Sequence, residues 1–375
     1  MALLGGMQGF ITFDWWSVLQ VFLLGLIGGV LSGFIGSGGA FFMTPGMMNL
    51  GVPGAIAVGS NITHKFGKAL VGSLRHRQLG NVDRKLALYM TGTSFVGIRI
   101  AAWINELLFR RDSGSGSSSS AASDLYISVV FVTTLTVVAA FMLTEVSRSL
   151  KGTHHTEERS ASGGLARYLS WANLPPMVYF QVSEARVSLW PLLVVGLFTG
   201  YMAGTIGVGG FLGVPAMIYL FGVPTTVAAG TELYLAMFMG GFGAINYVWQ
   251  GMVDVRLTLI LYGGSLIGVL IGAYGTRIVK ALTIRLVTGV VIAICVVSRL
   301  VAIPVYLRQL GALSFDAAIE RQLNWVSTGL LYAAGCTGLT LILVFVIRAH
   351  RQRMRVHASL LCSAVRPAHS ASHTA

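Results

Sequence analysis

The chain has 375 residues, of which 54% are hydrophobic and only 10% charged. A soluble domain carries about 25% charged residues, so this composition excludes a globule that covers itself with a water-facing surface. The net charge of +13 would suggest nucleic acid in a soluble chain. Here the cations fall between and after apolar runs, where membrane topology accounts for them, and nucleic acid is not an expected partner.

Apolar runs long enough to cross a bilayer fall at residues 17–35, 86–104, 125–143, 188–206, 257–275, 286–303 and 325–347. No lysine or arginine precedes Lys65. The first run therefore lacks the basic region of a cleavable signal and is expected as a retained helix. Between runs, residues 112–123 are rich in serine and glycine and predict a flexible outer loop. Residues 144–186 predict a cytoplasmic linker holding a rigid Leu174-Pro175-Pro176 turn. The last twenty or so residues, rich in Ser, Ala and His, predict a disordered tail.

An internal repeat organises the chain. The glycines at 25, 28, 29, 33, 36, 38 and 39 recur at an offset of 171 residues, from Gly196 to Gly207-Val208-Gly209-Gly210, with Thr199 at the position of Gly28 the one exception. The same register pairs Gly51-Val52-Pro53 with Gly222-Val223-Pro224, Gly80, Val82 and Asp83 with Gly251, Val253 and Asp254, and Gly92, Ser94 and Gly97 with Gly263, Ser265 and Gly268. Shared glycine richness would not hold one register this far.

Charge orients the copies. The tail carries Arg348, Arg351, Arg353 and Arg355 and is expected in the cytoplasm, as is the turn with Arg75, Arg77, Arg84 and Lys85. The equivalent turn at 250–256 then falls outside, and so does the N-terminus with Asp14. Equivalent turns on opposite faces mean inverted repeats. Each copy breaks at its Gly-x-Gly-Gly and again at its Gly-Val-Pro. This predicts a long helix, a short apolar piece (residues 40–50 and 211–221) and a further helix. The short pieces are too brief to span at about 1.5 Å per residue and are expected as half-helices or re-entrant segments. The fold class is therefore all-α: a polytopic membrane protein of two inverted repeats with broken or re-entrant helices. Its parts are a first repeat (1–143), a cytoplasmic linker (144–187), a second repeat (188–303), an outer loop with an additional helix (304–347) and a basic cytoplasmic tail (348–375).

The two breaks are the leading site candidates: Gly36, Gly38 and Gly39, and Gly207, Gly209 and Gly210. A broken helix presents backbone N–H groups and the positive end of its dipole to an anion, and inverted-repeat transporters use paired breaks in this way. The alternative is that the glycines only permit close helix crossing. Asn61, His64, Lys65 and Lys68 share one helical face, and cations at membrane depth usually face a cavity. The alternative for the lysines is snorkelling to the interface. In the second copy Thr231 and Glu232 occupy the matching stretch, with Glu232 a proton carrier, a partner for Lys65 or a structural anchor. Asp83 and Asp254 read as turn caps. His154, His155, Glu157 and Glu158 read as solvated, and the three cysteines show no metal or disulfide spacing. No nucleophile–base pair, Walker loop or zinc motif is present, so no cofactor, metal or catalysis is expected.

The doubled glycine pattern, the following proline (Pro45, Pro215), Gly-Val-Pro and Ala57-x-Gly59-Ser60 with Ala228-x-Gly230-Thr231 resemble the TauE/SafE family of sulfite exporters, from about residue 19 to 300. Residues 60–68, Pro175-Pro176, Ser183 and Ser188-Leu189-Trp190 resemble a longer subgroup. Ala40 and Phe211 stand where the family often has a third glycine, and Thr231-Glu232 where it often has Thr-Asp. The resemblance implies a multi-pass permease of the bacterial inner membrane for sulfite, sulfonates or related small organic anions. The expected partners are a small anionic substrate and the lipid bilayer, with a homodimer left open. Readings from other classes are a membrane-embedded enzyme acting on a lipid or sulfur compound, and an assembly subunit.

Overall fold

The computed structural model describes residues 14–35, 39–114, 120–150, 175–207, 209–276, 279 and 281–364. Five helices form the first half: α1 (Trp15–Ile35), the short α2 (Ala40–Asn49), α3 (Gly54–Gln78), α4 (Arg84–Gly114) and α5 (Ala121–Leu150). A hairpin of β1 (Met177–Phe180) and β2 (Ala185–Ser188) follows. The second half repeats the order as α6 (Leu189–Ile206), the short α7 (Gly210–Tyr219), α8 (Thr225–Trp249), α9 (Val255–Thr276) and α10 (Ala281–Gln309), and α11 (Ala317–Ala364) is added.

Among the described residues, eight helices are long and apolar enough to cross a membrane. These are all the described helices except α2, α3 and α7. The protein is thus an all-α polytopic membrane protein. The short pieces expected after each break are α2 and α7. α3 falls short in hydropathy because its polar residues interrupt it, yet it lies along α8 from end to end. Gly59 approaches Met252, Ile62 Gly243, Phe66 Gly240, Gly72 Leu233, and Asn81 Gly230. The pairs run in opposite order, so these equivalent helices are antiparallel. That is the geometry of inverted copies.

The remaining contacts cross between halves. α1 packs in parallel on α9, with Gly25 and Gly29 against the backbone at Leu261 and Ser265. Its equivalent α6 packs in parallel on α4, with Gly196 and Gly200 against Met90 and Ser94. A Cβ at Gly29 would sit 2.5 Å from the Ser265 carbonyl oxygen. Lipid supplies no hydrophobic force between helices, so such backbone approach is what draws them together. α5 and α10 pair antiparallel, from Glu145 with Arg285 to Leu143 with Gly289. α11 runs parallel to α1, with Gly335 on Ile27 and Gly338 on Leu31. The start of α1 and the end of α11 therefore lie at opposite ends of the bundle. At the start of α1, Ser17 donates its hydroxyl and its backbone N–H to Asp14, which holds that carboxyl below its usual range.

Two expectations change. The outer loop is shorter than residues 112–123, because α4 continues to Gly114 and α5 begins at Ala121. The linker contains structure: Met177 pairs with Ser188 and Phe180 with Ala185. The β-forming run Val178-Tyr179-Phe180 carries the signal, and Phe180 and Val187 bury against α4 and α8 residues. His154, His155, Glu157, Glu158 and the tail beyond residue 364 lie outside the described residues.

Candidate functional site

Each short helix turns back along the helix before it. Gly39 abuts the Gly28 carbonyl and Ser32, Met43 lies on Gly28, and Gly46 lies on Leu24. In the second copy Gly209 abuts the carbonyl of Thr199, the equivalent of Gly28. Gly207 ends α6 at φ +78°, a left-handed conformation that favours glycine. Gly36 and Gly38 lie outside the described residues. Gly39 and Gly209 are the N-cap positions of α2 and α7, and neither helix has a side-chain cap. The two starts meet: Phe41 and Phe211 touch edge to face with ring centroids 5.1 Å apart. Two helix N-termini, each a partial positive charge, thus approach one another inside the bundle.

Asn61 ties this centre to α3. Its Nδ2 donates to the Thr44 hydroxyl at 2.8 Å, and Thr44 donates to the Ile206 carbonyl at 3.0 Å. The first copy therefore holds the break of the second. Lys68 donates to Ser32 at 3.1 Å and so joins the last turns of α1. His64 faces elsewhere, with Nε2 2.6 Å from the Ser265 hydroxyl and its ring on Tyr262 of α9. The shared helical face thus spreads its side chains over three neighbours rather than one point.

Lys65 lies between them. Its residue is 8% exposed, and its ammonium has no hydrogen-bond partner among the described residues. Glu232 is 1% exposed and neither carboxylate oxygen has such a partner. Its Oε2 presses on α7 at Gly213, where a Cβ would collide with it. The two charges attract one another, yet among the described residues no ion pair joins them. Unpaired buried charge is costly. Thr231 has another task. Its hydroxyl accepts the Asp83 N–H at 3.0 Å, as that of the equivalent Ser60 accepts the Asp254 N–H at 3.1 Å. Each copy thereby holds the turn of the other.

Sequence reasoning passed over Thr44, which shows no charge to mark it, and Arg299. Arg299 is 1% exposed, with its guanidinium near Met48 Sδ (3.7 Å), Tyr306 OH (3.3 Å) and Ser327 Oγ (3.4 Å). A cation inside the apolar run 286–303 was the available signal. It sits at the C-terminal end of α2, the negative end of that dipole. The end of α7 is held similarly: Tyr219 donates to Glu145 at 2.7 Å, and Glu145 pairs with Arg285. α10 therefore supplies one arginine to anchor each short helix. Among the described residues no three His, Cys, Asp or Glu side chains cluster as a metal site would require.

Comparison with known proteins places this architecture. The family described as sulfite exporter TauE/SafE matches residues 21–299. The chain belongs to the TauE/SafE family. Its match runs from α1 to Arg299 and so takes in both breaks and both copies. The chain is 23% identical over 285 residues to the "probable membrane transporter protein YunE" of Bacillus subtilis (strain 168), covering 74% of this chain and 94% of that protein. It is 25% identical over 257 residues to YjnA of the same organism, named likewise, covering 68% and 89%. YdhB, also so named, is 24% identical over 277 residues, covering 72% and 92%. No solved structure matches. Membership in a family of membrane transporters, with eight apolar spans, makes this a multi-pass membrane transporter.

Proposed function

We propose that the chain moves a small anion, of the size and charge of sulfite or an organic sulfonate, by alternating access between the two copies. The meeting of the α2 and α7 N-termini beside the buried, unpartnered Lys65 ammonium carries this reading. Backbone N–H groups and dipole ends suit an anion without binding it too tightly for release. In this reading Gly36, Gly38, Gly39, Gly207, Gly209 and Gly210 form the anion cradle. Asn61 sets its geometry and Lys65 its charge, with Lys68 and His64 flanking. Glu232 limits affinity, since it competes with the anion for Lys65, and Thr231 fixes the framework. The Phe41–Phe211 contact closes the path. The end of the bundle with Arg77, Arg84, Lys85 and Arg285 faces the cytoplasm, with the N-terminus outside. No nucleophile–base pair is part of this reading, so it assigns transport and no catalysis.

Anion flux into proteoliposomes tests it. Wild-type protein should move sulfite or a short sulfonate, and Lys65→Ala should not. If sulfite, sulfonates and other small anions all fail to move with wild-type protein, the reading falls. Accessibility tags should report the two termini on opposite sides, and both in the cytoplasm would overturn the orientation.

A further inference from the structure

At the basic end of the bundle, the turn after α3, the start of α4 and the β1–β2 hairpin enclose a cleft of about 920 Å³. Arg77, Arg84, Lys85, Tyr89, Tyr179 and Gln181 are among its lining. Three cations there face one carboxylate, Asp83, and that carboxylate is already engaged. Asp83 is 2% exposed and accepts the Leu86 N–H at 3.1 Å, the Ser183 N–H at 3.1 Å and the Ser183 hydroxyl at 2.9 Å. It fixes the hairpin to the turn and does not neutralise the arginines. Lys85 is held over the cleft by the Tyr179 carbonyl at 3.3 Å and the Phe180 ring at 5.8 Å. Arg77 and Arg84 are exposed, and neither forms an ion pair among the described residues. Glu184, at the hairpin tip, is not part of the lining.

Topology accounts for the sign of these charges but not for the enclosure. The equivalent turn carries Val248 and Val255 in place of Arg77 and Arg84, and keeps only Arg256 for Lys85. The walls of the cleft are amphipathic as well as basic. Tyr179 and Val182 on the hairpin are exposed, and an outward stripe of Leu88, Tyr89 and Val96 runs from the cleft along α4 into the span. Arginine pairs hold phosphate oxygens bidentately, and such pockets at the cytoplasmic boundary suit lipid headgroups.

We infer that this cleft binds a phosphate group carried by an anionic phospholipid, with Arg77, Arg84 and Lys85 on the phosphate and the acyl chains along Leu88 and Val96. The bound lipid would brace the turn against α8, since Asn81 and Asp83 contact Gly230 and Thr231, the residues just before Glu232. The inference does not depend on which substrate is moved.

The test uses the full chain in neutral detergent, with thermal melting read after adding phosphatidylglycerol, phosphatidylcholine, glycerol 3-phosphate or inorganic phosphate. Phosphatidylglycerol should raise Tm by several degrees in wild type and in the control Arg256→Ala, and phosphatidylcholine should do so far less. The shift should vanish in Arg77→Ala/Arg84→Ala. An equal shift in that double variant overturns the site. An equal shift from glycerol 3-phosphate or phosphate overturns the lipid as source and leaves a soluble phosphate ligand. If the double variant does not fold, phosphatidylglycerol retained through purification is counted by mass spectrometry in wild type, Arg84→Ala and Arg84→Lys. Retention should fall in the first variant and return in the second, and equal retention in all three overturns the proposal.

Discussion

The two copies share a frame but divide their chemistry. Gly29 of α1 touches Ser265 of α9 as Gly200 of α6 touches Ser94 of α4. Ser60 holds Asp254 as Thr231 holds Asp83. These contacts engage backbone atoms, which cannot move apart without losing both interfaces. Elsewhere the equivalents differ: Asn61 with Glu232 and Lys65 with Ala236 inside the bundle, and Arg77 with Val248 at its ends. Duplication preserves what the backbone needs and frees the side chains that do not carry the frame.

Breaking the shared frame should cost most, and equally in both copies. Gly29→Leu and Gly200→Leu each force a side chain into the backbone of the facing helix. Overpacking of this kind costs about 1–3 kcal/mol or more, and neither variant should elute as a monodisperse species on size exclusion. Gly92→Ala meets nothing within 4 Å and should melt like wild type. A lasting difference between the two leucine variants would deny the equivalence of the interfaces.

Breaking the divided chemistry should spare the frame. Lys65→Ala should lower anion flux at least tenfold, about 1.4 kcal/mol in the transport barrier, while the protein still elutes as a monodisperse species. Glu232→Gln should act less and in the other direction on binding. It removes the carboxylate that competes for Lys65, so the anion should bind more tightly while turnover slows. Ala236→Lys in the Lys65→Ala background should not restore flux, because Ala236 belongs to the opposite copy and position.

The frame was legible because glycine spacing and apolar length are direct consequences of bilayer packing. The fixed offset of 171 residues, together with Arg77, Arg84 and Lys85 opposite Val248, Val255 and Arg256, already implied inversion. The site was legible only in part. Periodicity put Asn61, His64, Lys65 and Lys68 on one face, but a face does not state its neighbours. His64 turned to Ser265, and Thr231 was committed to a distant turn. Thr44 and Gly213 enter through tertiary contact alone. The hairpin at 177–188 was hidden because its four-residue strands are short beside the spans.

Smaller effects sharpen the same comparison. Ser60→Ala and Thr231→Ala each leave one buried aspartate N–H without its acceptor, at about 1–3 kcal/mol, and should lower Tm alike. Their aspartates should differ. Among the described residues Asp254 accepts from the N–H groups of its own turn, at Arg256 and Leu257, whereas Asp83 also binds the hairpin. Asp83→Ala should therefore lower Tm more than Asp254→Ala.

The smallest effect isolates the part that only one copy has. Ser183→Ala removes the hydroxyl that donates to Asp83 and keeps the backbone N–H that donates to the same oxygen. The loss of one hydrogen bond with its partner still served costs about 1 kcal/mol, and the shift in Tm should be slight. Local opening is the better readout, because the hairpin can detach without unfolding the bundle. Amide exchange at β1 and β2 should quicken severalfold while α4 and α6 stay protected. If α4 exchanges as fast as the strands, the hairpin is part of the frame and not an addition to it, and the basic cleft would have to be counted among the features the fold itself requires.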